Sequence, residues 1–355
     1  MIKMKTENYP KEELSFDKSG KFKILVLADC QDNEKPNRRM IKYINFLLDE
    51  ERPQLVVFLG DNVVCNTKEK FDKGAKLLLA ALVLRGIPYC FCFGNHDAEY
   101  GVSKEYMLSS FSKLGKCYTY NADDSITGVG NCVIKIKTSD KKDTAFALWL
   151  IDSNMYYKKD GSFYDIVHKD QLEWLENENE KLKKEIGHGV NSLVFQHMAV
   201  TEIFDLLNKN PNGKYKVGNN RYDLTLNEKA KGTLLELPCP PYVNGGELDT
   251  LCDIGGVIGA VFGHDHNNSF IGNVKGIDLI QTAGMTFYSY GHGKVRGCRI
   301  ITLNENDTQH YTTYTRRYID DLSSSRCGCK GELDHGDHIK EKLKCFLCKV
   351  TGKSF

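Results

Sequence analysis

Apolar and polar positions along the chain first predict alternating strands and helices. A nearly continuous apolar run over residues 22–28 predicts a buried strand. Apolar residues then recur at helical spacing over residues 37–50. A strand over 54–59, a helix over about 67–85 and a strand over 88–93 follow. This order predicts parallel strands joined by right-handed crossovers.

The rest of the chain predicts a sheet of mixed direction. Helices are expected at about residues 168–186 and 247–253. Further strands are expected at residues 131–137, 145–151, 191–196, 257–262, 277–282, 296–303 and 308–315. Together with the first half, these elements predict an α/β protein with one mixed sheet, or two stacked sheets, flanked by helices.

Three segments depart from this pattern. Residues 1–20 are polar and charged, which predicts a flexible lead-in. Residues 201–246 are rich in Asn, Gly, Pro and Lys and predict a long insertion over the sheet edge. Long loops in a compact domain are usually functional or disordered, so this insertion is a candidate for shaping a binding site. Residues 321–355 form a cysteine-rich C-terminal tail.

Composition and charge narrow the classes of partner. The 355 residues include 48 Lys or Arg and 47 Asp or Glu, so we expect neither nucleic acid nor a charged membrane surface as a partner. No run approaches the roughly 18 apolar residues of a membrane span, and the N-terminus lacks the apolar core of a secretory signal. These features predict a cytoplasmic protein. The odd count of 13 cysteines agrees with reduced thiols.

Side chains that can bind metals follow the ends of the predicted strands. The segments are Asp29-Cys30-Gln31, Gly60-Asp61, Gly94-Asn95-His96-Asp97, Gln196-His197 and Gly263-His264-Asp265-His266. In open α/β sheets, ligands bind beyond the carboxyl ends of the strands. We therefore expect these segments to converge on one crevice. The glycines ahead of Asp61, Asn95 and His264 allow tight turns without a Cβ clash.

The residue types in these segments predict a pair of divalent ions. Carboxylate, amide oxygen and imidazole are ligands of Mn, Fe(II) and Zn in mixed oxygen and nitrogen sites. A carboxylate such as Asp61 can bridge two ions about 3.5–4 Å apart, the spacing of two-metal phosphoryl-transfer sites. Each segment alone is an ordinary turn or strand end. Their occurrence as an ordered set favours the metal interpretation.

This ordered set resembles the calcineurin-like metallophosphoesterase superfamily, whose motifs run D-x-H, G-D, G-N-H-D/E, H and G-H-x-H. The resemblance spans residues 22–303. It is nearest to the branch that contains the small plant purple-acid-phosphatase-like proteins and a fungal cell-cycle phosphatase, and residues 243–246, 263–266 and 290–293 carry this narrower likeness. The resemblance implies a four-layer α/β/β/α sandwich over a metallophosphoesterase domain of residues 21–320.

The resemblance also implies how the ligands are divided. One ion would be bound by Asp29, Gln31, Asp61 and His266, and the other by Asp61, Asn95, His197 and His264. His96 would lie near the leaving group and act as general acid, while a metal-bridging hydroxide attacks in line. The implied function is a phosphoester hydrolase with two Mn, Fe or Zn ions.

The substrate remains open at this stage. A phosphomonoesterase acting on a phosphorylated small molecule or a phosphoprotein is the leading hypothesis. A phosphodiesterase with the same metal core and a non-catalytic metal-binding scaffold protein are the alternatives. The insertion at residues 201–246 is expected to lie near the active site and to help select the substrate.

Two positions depart from the family pattern. Gln31 stands where the family usually has His, and its neutral amide oxygen predicts a weaker or more oxygen-preferring metal site. Val64 stands where purple acid phosphatases have a tyrosinate and where the serine/threonine phosphatases have an Asp that orients the catalytic His. We therefore expect no purple Fe(III) colour. His96 should have a different partner, either Asp97 or none.

Two further features carry weaker predictions. Tyr288, Tyr290 and His292 follow the strand at 277–282, and they either line the substrate cleft, with His292 binding substrate, or simply pack. The tail contains paired cysteines with the spacing of a structural zinc site, and the alternative is a tail with incidental thiols. The four cysteines are Cys327, Cys329, Cys345 and Cys348.

Overall fold

A computed structural model describes residues 12–157, 163–217, 220–291 and 293–321. In chain order the strands are β1 (Leu14–Ser15), β2 (Lys21–Leu27), β3 (Leu55–Leu59), β4 (Tyr89–Cys92), β5 (Cys132–Lys137), β6 (Thr144–Leu150), β7 (Asn191–Phe195), β8 (Leu207–Val217), β9 (Asn220–Leu226), β10 (Ala230–Thr233), β11 (Val257–Phe262), β12 (Ser269–Val274), β13 (Ile277–Gln281), β14 (Gly297–Asn304) and β15 (Tyr311–Arg317). The α-helices are α1 (Arg38–Glu51), α2 (Lys68–Arg85), α3 (Lys104–Phe111), α4 (Lys169–Ile186), α5 (Glu247–Ile254) and α6 (Tyr318–Asp321).

Two mixed sheets form the centre of the fold. The smaller has the strand order β15-β14-β2-β3-β4, and the larger has the order β1-β5-β6-β7-β11-β13-β12-β10. Strands β2, β3 and β4 run parallel, as the strand–helix alternation predicted. Strands β6, β7, β11 and β13 are also parallel neighbours. Both sheets therefore have several strand ends at one edge, where polar loops can meet.

Side chains of β2 alternate between two hydrophobic layers. Leu25 and Leu27 pack with helices α1, α2 and α3, while Ile24 and Val26 face the second sheet. A third layer covers the other face of the larger sheet, where Trp149 packs with α4 and α5. This period of two is the side-chain alternation of a buried strand. The result is the predicted four-layer α/β/β/α sandwich.

Local capping explains why the predicted helices begin and end near their expected residues. The side chain of Asn37 accepts a hydrogen bond from the backbone N–H of Arg39 and begins α1. Thr67 begins α2 in the same way, and Gly86 ends it in the left-handed conformation. Such caps satisfy backbone groups that have no partner inside the helix.

The structure adds elements that the sequence did not predict in three places. The segment 201–246 is not simply an irregular insertion, since it contains a 3₁₀ helix at Thr201–Leu206 and the antiparallel pair β8–β9, and its strand β10 joins the edge of the larger sheet. Part of the predicted flexible lead-in is fixed, because β1 pairs with β5 and Phe16 is buried. Helix α3 and strand β12 were not predicted. Both are short, and their apolar residues lack a clear period.

None of the helices in the described ranges combines the length and the apolar composition needed to cross a bilayer.

Candidate metal centre

The predicted ligands lie on loops that leave five parallel strands. Asp29 and Gln31 follow β2, Asp61 follows β3, Asn95 follows β4, His197 follows β7, and His264 and His266 follow β11. The first three strands belong to the smaller sheet and the last two to the larger sheet. The loops therefore meet where the carboxyl ends of both sheets come together. All seven side chains are buried.

One group of polar atoms converges on His197. Its Nε2 lies 3.1 Å from Oδ1 of Asn95, 3.3 Å from Nδ1 of His264 and 3.5 Å from Oδ2 of Asp61. Its Nδ1 lies 2.7 Å from the carbonyl oxygen of Leu59, which can only accept a hydrogen bond. Nδ1 therefore carries the proton. Nε2 is left as the nitrogen that can bind a cation.

A second group converges on His266. Its Nε2 lies 3.3 Å from Oδ1 of Asp29 and 3.3 Å from Nε2 of Gln31. Its Nδ1 donates to the carbonyl oxygen of Tyr290 at 2.6 Å, so Nε2 again faces the polar cluster. One ligand atom each from Asp29, Asp61 and His266 lie within 4.8 Å of one another. Asp61 thus reaches both groups, the position that a bridging carboxylate requires.

Backbone conformation adds a second sign of a functional site. Asp29, Asp61 and His264 have φ values of 49°, 49° and 69°, which place them in the left-handed region. Side chains other than glycine rarely adopt this region, and its cost is tolerated mainly where surrounding structure fixes a functional side chain. Sequence patterns do not reveal this strain.

The glycines before the ligands act in different ways. Gly60 has a φ of 82° and permits the turn that the sequence predicted. Gly94 has no positive φ; a Cβ there would overlap the backbone nitrogen and the carboxylate of Asp61. Gly94 is therefore needed for close approach between two loops and not for a turn.

Replacing Gly94 by Ala should destabilise the protein and disturb the position of Asp61. We expect a loss of about 3 kcal/mol in the free energy of unfolding, the upper end for overpacked sites, because the new methyl meets backbone atoms. Urea denaturation measures this loss. Gly189→Ala is the matched control, since a Cβ at Gly189 meets nothing within 4 Å. Equal stability of the two variants would contradict the close approach.

Charges within the cluster shift several pKa values. Burial opposes ionisation of Asp61, but the imidazoles of His197 and His96 outweigh it and hold the pKa of Asp61 far below its usual value. Burial would lower the pKa of His197, yet Asp61 and Asp29 raise it to about 9. Burial and the neighbouring His197 hold the pKa of His264 well below its usual value. Protons on imidazole thus compensate the buried carboxylates, and a bound cation would replace them.

His96 lies at the rim of the cluster. Its backbone N–H donates to Oδ1 of Asp61 at 2.8 Å, and its Nδ1 lies 2.6 Å from Oε2 of Glu99. Burial lowers the pKa of His96, but Asp61 and Glu99 outweigh it and raise that pKa to about 9. The expectation that Asp97 or no residue would pair with His96 is wrong. Asp97 instead accepts hydrogen bonds from the backbone N–H groups of Asn62 and Gly94, both at 2.8 Å. It thereby connects the loop after β3 to the loop after β4.

Two tyrosines complete the site without a motif in the sequence. The side-chain amide of Asn95 donates to the hydroxyl of Tyr156 at 2.9 Å, which leaves Oδ1 of Asn95 facing His197. The ring of Tyr164 meets the ring of His264 edge-on with centroids 4.6 Å apart. The only signal in the sequence is a group of aromatic residues between β6 and α4, which periodicity alone does not link to the site.

The weaker predictions have mixed outcomes. The ring of Tyr290 stacks on His266 with centroids 4.1 Å apart and an angle of 3°, and Tyr288 lines a cavity next to His96. His292 lies outside the described residues. The four tail cysteines also lie outside the described residues; they are Cys327, Cys329, Cys345 and Cys348.

Comparison with known proteins finds similar sequences and a similar fold. The chain is 28% identical over 340 residues to "Probable inactive purple acid phosphatase 14" of Arabidopsis thaliana, an alignment that covers 85% of this chain and 80% of that protein. It is 29% identical over 222 residues to "Phosphatase DCR2" of Saccharomyces cerevisiae, covering 55% of this chain and 37% of that protein. The fold is similar to a dimetal phosphatase from Danio rerio, with a TM-score of 0.52 and 15% identity, over 84% of this chain and 99% of that chain.

The family model "Calcineurin-like phosphoesterase" matches residues 22–268, most of the chain. The resemblance predicted from the ordered motifs is therefore confirmed, together with its purple-acid-phosphatase-like and yeast relatives. The chain belongs to the calcineurin-like phosphoesterase family, a family of phosphoester hydrolases.

Proposed function

We propose that the protein is a dinuclear metal-dependent phosphomonoesterase in which His96 protonates the leaving group. The observation that carries the proposal is the convergence of Asn95, Asp61 and His264 on Nε2 of His197 within 3.5 Å. The residues that would hold the two ions are Asp29, Gln31, Asp61, Asn95, His197, His264 and His266.

The donor set fits divalent transition metals. It consists of buried carboxylate, amide and imidazole groups, the combination that Mn, Fe(II) and Zn accept. Two imidazoles, those of His197 and His266, already have Nδ1 committed to backbone carbonyls, which orients Nε2 toward the other ligands. When bound, the ions would supply an activated water and neutralise charge on the phosphoryl oxygens.

The side chains of the protein perform the proton transfer. A water oxygen forms the new bond to phosphorus and releases one proton to solvent as the bond to the ester oxygen breaks, and the products are hydrogen phosphate and an alcohol. His96 gives its proton to the departing alcohol oxygen. Glu99 is a positioning residue, because its carboxylate fixes Nδ1 of His96 and stabilises the protonated ring. Asp61 links this acid to the metal ligands through the backbone N–H of His96.

Activity with two chromogenic esters tests the proposal. With added Mn²⁺, the purified protein should hydrolyse p-nitrophenyl phosphate faster than bis(p-nitrophenyl) phosphate. Faster hydrolysis of the bis-ester would favour a phosphodiesterase with the same core. Hydrolysis of neither ester, with two ions bound per chain, would contradict the proposal and favour a metal-binding scaffold.

The scaffold alternative has specific support. Gln31 replaces the usual imidazole ligand, and the name of the Arabidopsis relative describes that protein as probably inactive. The pairing of His96 with Glu99 favours catalysis, because a buried metal scaffold has no need of an acid held at its rim.

Metal binding should depend on pH. An imidazole binds a cation only when it is neutral, and in the absence of ions the carboxylates raise the pKa of His197 to about 9. Lowering the pH below about 9 adds this proton, so the apparent affinity for Mn²⁺ should fall by up to about tenfold for each further pH unit. Calorimetric titration in buffers of different ionisation enthalpy should detect protons released on binding. An affinity that is constant between pH 6 and 9 would contradict the assignment of His197.

A further inference from the structure

A cavity of about 380 Å³ opens beside the proposed metal centre, where Gln31 and His96 form part of its wall. Its volume lies in the range of small-molecule binding sites. Under the proposed function, His96 protonates the departing alcohol, so the body of that alcohol must occupy the space next to His96. This cavity is the leaving-group side of the site.

Opposite charges line the cavity. The carboxylate of Glu34 has no hydrogen-bond or ion-pair partner among the residues that the structure describes, whereas Glu99 is engaged with His96. Nζ of Lys70 donates to Oδ1 of Asn66 at 3.2 Å and retains two further N–H groups. Cys65 lines the cavity as well: burial and Glu34 raise the pKa of its thiol, while Lys70 opposes the shift. Glu34 and Lys70 therefore act on the same part of the cavity.

Aromatic surface complements these polar groups. Tyr100 and Tyr288 both line the cavity, and they remain 52% and 43% exposed. Their rings offer flat apolar faces with a hydroxyl at the edge. Such rings pack against ligands that combine C–H surface with polar substituents.

We infer that this cavity binds an uncharged, polyhydroxylated leaving group, so that the substrate is a sugar-like phosphomonoester; the inference rests on the proposed function. Hydroxyl groups both donate and accept, so a polyhydroxylated leaving group can pair with the acceptor Glu34 and with the donor Lys70 on the wall of the same cavity. An alkyl chain would displace water from these charged groups without replacing its hydrogen bonds, at a cost in binding. An anionic leaving group would face the free carboxylate of Glu34.

Three phosphomonoesters of six-carbon primary alcohols test this inference, with Mn²⁺ added. Glucose 6-phosphate should have a kcat/KM at least about tenfold above n-hexyl phosphate and 6-phosphogluconate, the difference that one charged hydrogen bond produces. Hydrolysis of p-nitrophenyl phosphate without this preference would overturn the inference alone. Hydrolysis of none of the esters would overturn the proposed function, and the inference with it.

Substitution of Glu34 links the preference to the cavity. Glu34→Ala should reduce the ratio of kcat/KM for glucose 6-phosphate over n-hexyl phosphate by about tenfold, mainly through KM. Glu228→Ala removes an exposed carboxylate that does not line the cavity, and it should leave the ratio unchanged. An unchanged ratio in Glu34→Ala would overturn the assignment of the cavity. The midpoint of thermal unfolding should be the same in both variants as in the wild-type protein. This excludes misfolding as the cause of a change in the ratio.

Discussion

Asp61→Asn should nearly abolish turnover while leaving the protein folded. Asp61 reaches both ligand groups, since its Oδ2 lies 3.5 Å from Nε2 of His197 and one of its carboxylate oxygens lies within 4.8 Å of ligand atoms of Asp29 and His266. Asparagine keeps the shape of the side chain but removes the negative charge that two cations would share. We expect a decrease in kcat/KM of more than about 10³-fold, or about 4 kcal/mol of transition-state stabilisation.

Metal content gives a second measurement on the same variant. The wild-type protein should contain two ions per chain after incubation with Mn²⁺, and Asp61→Asn should contain one or none. Asp253→Asn is the matched control, because Asp253 is exposed and lies near the end of α5, ahead of β11, whereas the ligands follow the end of that strand. Retention of two ions and of most activity in Asp61→Asn would contradict its role as the shared ligand.

His96→Ala should separate catalysis from metal binding. His96 contacts Asp61 only through its backbone N–H, which alanine retains, so both ions should remain bound. The loss should depend on the leaving group. Alkyl phosphates, which need a proton on the departing oxygen, should be hydrolysed about 10²–10⁴-fold more slowly. For p-nitrophenyl phosphate, whose leaving group departs as a stable anion, the decrease should be much smaller.

A second histidine provides the control for His96. His310 pairs with Asp307 at 2.9 Å and three residues apart, the same kind of pair that His96 forms with Glu99. Since His310 is exposed, His310→Ala should not change the hydrolysis of either ester. The role of His96 as acid would be wrong if His96→Ala lost activity equally with both leaving groups.

The positions of the candidate ligands could be predicted because two simple regularities coincide. Buried parallel strands have apolar sequences, so their carboxyl ends are visible in the chain as the first polar residues that follow. Asp29 after β2 and Asp61 after β3 are two such positions. These residues could be placed at one edge without knowing which of the two sheets each strand belongs to.

The remaining parts of the site depend on three-dimensional contacts that no short pattern encodes. Glu99 lies three residues after His96 in the loop that follows β4, and its carboxylate contacts the imidazole. Asp97 is not available for this contact, because its carboxylate accepts hydrogen bonds from backbone N–H groups of two loops. Tyr156 touches Asn95 across 61 positions of sequence. The positive φ of Asp29 cannot be read from the sequence, because Asp occupies both left-handed and ordinary backbone conformations.

The most direct test of the dinuclear centre is anomalous diffraction from crystals grown with Mn²⁺. Two anomalous peaks are expected, one beside Asn95, His197 and His264 and the other beside Asp29, Gln31 and His266. They should lie about 3.5–4 Å apart, with Asp61 touching both. A single peak, or peaks that Asp61 does not contact, would contradict the proposed two-metal phosphoesterase.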